Sequence, residues 1–405
     1  MSRYIERQEY MDKMIALKDK EVIKIITGIR RCGKSTLMEM FQEHLLANSV
    51  VPERIIKINL EDFQYRKLLN AEALHQYVLD KMQDGGMNYL FLDEIQNVEE
   101  FPVVLNSLHL RPNLDIYVTG SNAYMLSSEI ATFISGRYVE IKMLPLSFKE
   151  FVSTSEDKSN LQNLYRRYIE IGSFPGALKF VDQLPELKDY LEAIYNTVVL
   201  KDVIYRKNIN DPLILQSIVR FVFDNIGSEL SSKKIADTMT SEGRKIDSRT
   251  VEKYLNALME SFIIYQARRY NIKGRQYLRT NEKYYAVDMA MRRVLLGNRA
   301  MDVGHILENI VYLELIRRGY EVYVGKIDSL EVDFVAVDSQ TIIYVQIAAT
   351  VREENTLERE LKSLRKIKDS HPKLLLTLDD DPVADYEGIK RINVLDWLLG
   401  YNILL

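Results

Sequence analysis

The chain has 405 residues, enough for two to four domains of about 150 residues each. Apolar residues make up 47% and charged residues 28%, the balance of a globular protein without long disordered tails. A net charge of −4 excludes a polycation, so any nucleic-acid surface must be a local patch; the single cysteine, Cys32, excludes an intrachain disulfide and suits a reducing cytosol. The first residues, MSRYIERQEYMDK, are charged throughout and lack a signal-peptide core. No apolar run approaches the roughly 18 residues of a membrane span. The expectation is a cytoplasmic protein with no membrane contact.

Short apolar runs occupy residues 22–27, 55–60, 88–93 and 115–120 (VIKIIT, IIKINL, NYLFLD, DIYVTG), with helical patterns between them. Strands alternating with helices predict an α/β domain on a parallel sheet over residues 1–150. A helical lid or linker is expected over 151–212. Several helices and a hairpin follow over 213–300. Mixed α and β returns over 301–405.

The first strand runs into T-G-I-R-R-C-G-K-S-T at 27–36, and a helical pattern follows. Gly28-x-x-x-x-Gly33-Lys34-Ser35 fits the phosphate-loop spacing G-x-x-x-x-G-K-[ST]. Glycines let successive N–H groups curl around an anion, and the following helix points its positive end at the same spot. The loop residues Gly28, Ile29, Arg30, Arg31, Cys32, Gly33, Lys34, Ser35 and Thr36 are therefore the expected ATP-binding set. Lys34 would reach the β and γ phosphates and Ser35 would ligate Mg2+. Cys32 reads as a small residue that fits the loop; the two arginines have no assigned role.

A phosphate loop needs an acid at the end of a neighbouring strand. The run Y-L-F-L-D-E at 89–94 supplies Asp93 for Mg2+ and Glu94 to activate the attacking water. The strand at 115–120 ends near Thr119, Ser121 and Asn122; Asn122 or Ser121 is favoured as the polar group between the acids and the γ-phosphate. Ser135-Gly136-Arg137 offers Arg137 as an arginine finger, in cis or towards a neighbouring subunit.

These stretches, with G-I-R-R-C-G-K-S-T, F-L-D-E-I-Q, T-G-S-N, S-G-R, P-L-S-F-K-E-F, G-S-F-P at 172–175 and the E-N-x-V-Y-x-E-L run at 308–315, resemble the prokaryotic AAA-type ATP-binding proteins that carry a C-terminal domain of unknown function. The resemblance spans nearly the whole chain. It implies ATP binding, a winged-helix segment and a restriction-nuclease-like C-terminal fold. Lys34, Ser35, Asp93 and Glu94 carry over directly, and Arg137 only as a position.

Residues 231–283 hold twelve Lys+Arg against six Asp+Glu. The pattern reads helix, turn, helix, hairpin, with Asp247 or Ser248 capping the second helix and Val251, Leu255 and Leu258 on its buried face. That outline is a winged helix, whose uses are duplex DNA contact or protein docking.

In the last module, Glu308 on a helix, Asp333 at the start of a strand and Gln346 on the next strand follow the layout of PD-(D/E)XK nucleases. There two acids hold a metal and a lysine steadies the attacking water. Here Gln346 stands where an acid is usual and Ala348 where the lysine is usual. Lys362 or Lys366 from the following helix is the candidate substitute. The module is expected to be inactive as a nuclease.

The sequence thus predicts an ATPase that couples nucleotide state to a DNA or protein partner. The alternatives are a nucleotide-gated binding switch with negligible turnover, and a nuclease licensed by the ATPase. Oligomeric state stays open.

Overall fold

The computed structural model describes residues 4–123, 136–205, 209, 211–274, 276–297 and 302–401. The chain divides into two compact units: Met1–Pro145 with Glu260–Phe262, and Leu146–Met259 with Ile263–Leu405.

In the first unit, helix α1 (Gln8–Leu17) precedes strand β1 (Ile23–Thr27) and helix α2 (Lys34–Ala47). Then follow β2 (Ile55–Asn59), α3 (Ala71–Lys81), β3 (Asn88–Asp93), α4 (Phe101–His109), β4 (Leu114–Gly120) and β5 (Tyr138–Lys142). The strands form one sheet in the order β2-β3-β4-β1-β5, and every pairing is parallel. Strands covered on both faces read as continuous apolar runs, and β1, β3 and β4 are buried along their whole length. Leu90, Leu92, Ile116 and Val118 pack with Leu74, Val104 and Leu108 of the crossover helices. Each such side chain contributes roughly 1.5–3 kcal/mol by leaving water.

The parallel order sends the carboxyl ends of β1, β3 and β4 to the same end of the sheet, the end at which α/β folds of this kind bind ligands. The opposite end is closed by a buried ion pair. The Lys24 ammonium meets the Asp115 carboxylate, with side chains 0% and 1% exposed. Tyr117 Oη and the Asp19 N–H also donate to Asp115, at 2.8 and 2.9 Å, and Lys24 donates to the Lys20 carbonyl at 2.7 Å. Burial pushes the Lys24 pKa down although Asp115 opposes it.

In the second unit, the sequence P-L-S-F-K-E-F forms a capping box. Ser147 accepts from the Glu150 N–H, and Glu150 accepts from the Ser147 N–H, at the start of α5 (Phe148–Ser153). The G-S-F-P turn follows α6 (Leu161–Ile171). Gly172 has φ +91°, and a Cβ there would lie 2.8 Å from the Asp288 carboxylate, which accepts from the Ser173 N–H and hydroxyl. Then come α7 (Leu184–Thr197), α8 (Pro212–Asp224), the short β6 (Glu229–Leu230), α9 (Ser232–Ser241), α10 (Ser248–Glu260) and the hairpin β7 (Ile264–Asn271) and β8 (Gln276–Ala286). Asp247 caps α10 by accepting from the Arg249 and Thr250 N–H groups.

Beyond α11 (Met289–Leu296) and α12 (Val303–Arg317) lie β9 (Glu321–Ile327), β10 (Leu330–Val337), β11 (Ile342–Ala348), α13 (Glu354–Arg365), β12 (Lys373–Thr377), β13 (Ala384–Tyr386), β14 (Ile389–Asn393) and α14 (Val394–Leu399). One nine-stranded sheet runs β13-β14-β12-β11-β10-β9-β7-β8-β6. It takes strands from both sides of residue 300, because β7 pairs in parallel with β9.

Asp115→Ala strands the buried Lys24 charge and is expected to cost about 3–5 kcal/mol. The double variant Lys24→Met/Asp115→Leu should cost much less. Urea unfolding of the three proteins checks the order.

Candidate functional site

The phosphate loop is held by close backbone contacts. β1 ends at Thr27, whose carbonyl accepts from the Met143 N–H at 2.7 Å. Gly28 then passes so near β5 that a Cβ would lie 2.2 Å from the Met143 carbonyl oxygen, and its φ is +152°. Cys32 is fully buried against that same oxygen, its Sγ 3.5 Å away. The sequence reading of Cys32 as a filler matches this seat. Arg7, ahead of α1, ties the loop down from outside: its guanidinium donates to the Cys32 carbonyl at 3.1 Å and to the Leu144 carbonyl at 2.7 Å. No local motif marks Arg7 in the sequence.

Gly33 takes a left-handed φ of +107° and starts α2, whose first turn is Lys34, Ser35 and Thr36. Their N–H groups are the orphan donors of the helix end, beside its positive pole. The Lys34 ammonium, 4% exposed, donates to the carbonyls of Gly28 at 2.9 Å and Ile29 at 3.3 Å and lies 3.9 Å from Glu94 Oε1. Of the two loop arginines, Arg30 pairs with Glu61 just beyond β2 at 3.0 Å, and Arg31 is exposed with φ +68°.

Asp93 ends β3 and is buried. Thr119, near the end of β4, donates its hydroxyl to Asp93 Oδ1 at 2.5 Å and accepts from the Glu94 N–H at 2.9 Å. The Ser35 hydroxyl also faces Asp93 closely enough to favour its ionised form. Burial pushes the Asp93 pKa up; the Thr119 and Ser35 hydroxyls and the Lys34 charge pull against it, and Glu94 adds to it. A hydroxyl and a carboxylate meeting beside a buried ammonium are the oxygen donors that Mg2+ takes alongside phosphate.

Glu94 turns the chain with φ +55°, a strained conformation for a side chain of this size. Its carboxylate accepts from the Gln96 amide, which is also 3.4 Å from the Ser121 hydroxyl. Gln96 was not singled out from sequence; the only signal was its place two residues after the acid pair. Ser121 and Asn122 are buried, at 0% and 1% exposure. Of the three polar candidates at the end of β4, Thr119 bonds Asp93.

Arg137 lies elsewhere. It precedes β5, its carbonyl accepts from Ile23 at the start of β1, and its side chain donates to Asn106. β1 separates it from the phosphate loop by five residues, roughly 16 Å at about 3.3 Å each. The structure therefore does not bring Arg137 to the loop of its own chain. Ser135 of the same motif lies outside the described residues.

The second constellation, Glu308, Asp333 and Gln346, does converge, on α12, β10 and β11. Asp333 Oδ2 accepts from the Ile347 N–H at 2.8 Å and its N–H donates to Gln346 Oε1 at 3.3 Å. Neither candidate substitute reaches it on the contacts described: Lys366 pairs with Asp328 at 3.6 Å and Lys362 is exposed. Lys283 of β8 meets Glu308 instead, at 3.0 Å.

The strand order, the glycine-held loop and the acid pair together define an AAA-type P-loop domain, and residues 20–152 match the AAA domain family. Residues 162–302 and 303–397 match two domains of unknown function, DUF8612 and DUF4143. The chain belongs to the family of AAA-domain proteins that includes an uncharacterized protein of Haemophilus influenzae, 40% identical over 399 residues and covering 98% of each chain. An uncharacterized protein of Methanocaldococcus jannaschii is 30% identical, covering 92% of this chain and 85% of its own. Among solved structures, a Walker-type ATPase of Pyrococcus abyssi is similar in fold, with a TM-score of 0.50 and 16% identity over 72% of this chain and 96% of that one. Among the described residues, no helix is long and apolar enough to cross a membrane.

Because its folded pKa is raised, Asp93 favours folding below the ordinary carboxylate value of 3.8, and that contribution is lost as pH rises through the raised value. At neutral pH its charge is a cost. Asp93→Asn is thus expected to leave the thermal midpoint of the nucleotide-free protein unchanged or higher, with the gap widening from acid to neutral pH. The same variant should lose the extra stabilisation that Mg·ATP gives the parent, read by thermal unfolding.

Proposed function

We propose that this protein hydrolyses ATP with Mg2+ and couples the nucleotide state to a partner held by the second unit. The observation that carries the first half is the chain of contacts Ser35–Asp93–Thr119–Glu94, which places a hydroxyl, two carboxylates and the Lys34 ammonium at one end of the sheet.

Lys34 exchanges its contacts with Gly28 and Ile29 for the β and γ phosphate oxygens. The N–H groups of 33–36 take the remaining phosphate charge. Ser35 and Asp93 would hold Mg2+, which supplies positive charge to the β and γ oxygens. Glu94 orients the attacking water and draws its proton, Gln96 fixes which way that carboxylate faces, and Thr119 ties the acid turn to β4. Ser121 and Asn122 flank the site on the β4 side. Arg137 has no part in this step within its own chain; an arginine-finger role would serve a second copy.

For the partner, the order α8-β6-α9-α10-β7-β8, with β6 antiparallel to β8, supports the winged-helix reading. Two of the basic residues in 231–283 are spent inside the fold, Arg269 on Glu229 and Glu331 and Lys283 on Glu308 and Glu331, and Lys273 pairs with Asp328 at the surface. Lys233, Lys234, Arg244, Lys245, Arg249 and Lys253 are exposed on α9, α10 and the turn between them. Exposed cations on a helix pair suit the phosphates of duplex DNA.

Glu94→Gln should lower steady-state ATP turnover by about 10²–10⁴ while nucleotide still binds. Turnover that survives this change would favour a binding switch or another base. Duplex DNA should raise the wild-type rate, and Arg249→Glu/Lys253→Glu should abolish that rise and leave the basal rate. If DNA has no effect and the helix pair still matters, the partner is a protein.

A further inference from the structure

The cluster around Glu308, Asp333 and Gln346 is left unused by the ATPase reading. In a metal nuclease such acids keep oxygen lone pairs free for a divalent cation, which asks for about six oxygen ligands. Here one oxygen of Glu308 and one of Asp333 are already bonded within the protein. Lys283, its side chain 6% exposed on β8, places its ammonium 3.0 Å from Glu308 Oε1 and 2.8 Å from Glu331 Oε1. Tyr285, two residues on along the same face of β8, donates to that same Glu308 oxygen at 2.6 Å. Arg269 of β7 sits 3.7 Å from Glu331 on the other side. Asp333 is engaged by the Ile347 N–H.

The Gln346 amide is committed as well. Its oxygen accepts from the Asp333 N–H and the Ser363 hydroxyl, both at 3.3 Å, and its nitrogen donates to Glu360 at 2.9 Å. Glu360 in turn takes the Arg359 guanidinium at 2.8 Å. Among the described residues no group of three or more His, Cys, Asp or Glu is arranged to hold a metal ion. Burial works against the Lys283 charge, yet Glu308, Asp333 and Glu331 outweigh it and leave its pKa raised. With its ammonium seated between Glu308 and Glu331, Lys283 puts a cation at this position.

We propose that Lys283 is the resident cation of this carboxylate cluster: it stands in for the divalent ion, so the C-terminal sheet neither binds a metal there nor cuts nucleic acid. The cluster instead fastens the β7–β8 hairpin to α12 and β10. This makes the hairpin and the C-terminal sheet one body, through which a partner held on α9 and α10 acts on the whole second unit. The lysine that the motif lacks at 348 is thus present in space, from a strand 65 residues earlier, but as a counter-ion.

Mn2+ binding followed by electron paramagnetic resonance tests this in the full-length protein, in an Asp93→Asn background that removes the ATP-site ligand. With Lys283 intact the protein should bind no Mn2+ below millimolar concentration, and supercoiled plasmid should stay uncut in Mg2+ or Mn2+. Lys283→Met should gain one Mn2+ per chain, and Asp333→Asn should remove it again. A bound Mn2+ with Lys283 intact that Asp333→Asn abolishes, or plasmid nicking lost in Asp333→Asn, would overturn the proposal. So would a folded Lys283→Met chain that gains no Mn2+. If Lys283→Met fails to fold, the Lys283-intact measurement still decides, and Lys283→Arg should restore folding without metal.

Discussion

Everything at the phosphate loop depends on one close approach, that of Gly28 to the Met143 carbonyl. No side chain fits between them, since even a Cβ would sit 2.2 Å from that oxygen. The approach lets the loop leave β1 while still bonded to β5, and it makes the pocket that Cys32 fills. Arg7 reinforces the same point by bonding both sides, at Cys32 and Leu144. A loop so fixed needs little ordering to meet an anion, which is the condition for tight recognition of phosphate by backbone N–H groups.

The second constraint is the buried position of the acids. Asp93 and Glu94 are each 7% exposed and stand next to a buried ammonium. Such a site costs stability at neutral pH, and that cost is accepted where function needs concentrated charge. The same chain handles two other buried charge groups differently. Lys24 and Asp115 form a closed pair at the far edge of the sheet, and Lys283 closes the acids of the second unit. At the phosphate loop the Lys34 ammonium stands beside both acids at the start of a helix, and its present partners are backbone carbonyls.

How much of this was legible differs by element. The strands of the first unit were visible because burial on both faces writes continuous apolar runs, largely β-branched in Ile23–Thr27 and Leu-Phe-Leu in Leu90–Leu92. The loop was visible because its chemistry is local: Gly28, Gly33, Lys34 and Ser35 lie within eight residues. The choice of Thr119 over Ser121 and Asn122 was not, because alternation along β4 does not say which hydroxyl meets β3. Arg137 read as a finger because spacing places it after β4; only the register of β5 on β1 shows that it opens the wrong edge for its own chain. Lys283 was invisible for a related reason. Parallel pairing of β7 with β9 joins strands about 55 residues apart, and such pairing leaves no local pattern.

Calorimetric titration of Mg·ATP into wild-type protein and Lys34→Met tests the central claim most directly. One binding event per wild-type chain is expected, weakened at least tenfold by EDTA, and none in Lys34→Met although that variant unfolds at a similar temperature. Equal affinity in the two proteins would mean that the nucleotide does not rest on this loop, and the functional reading would fall with it.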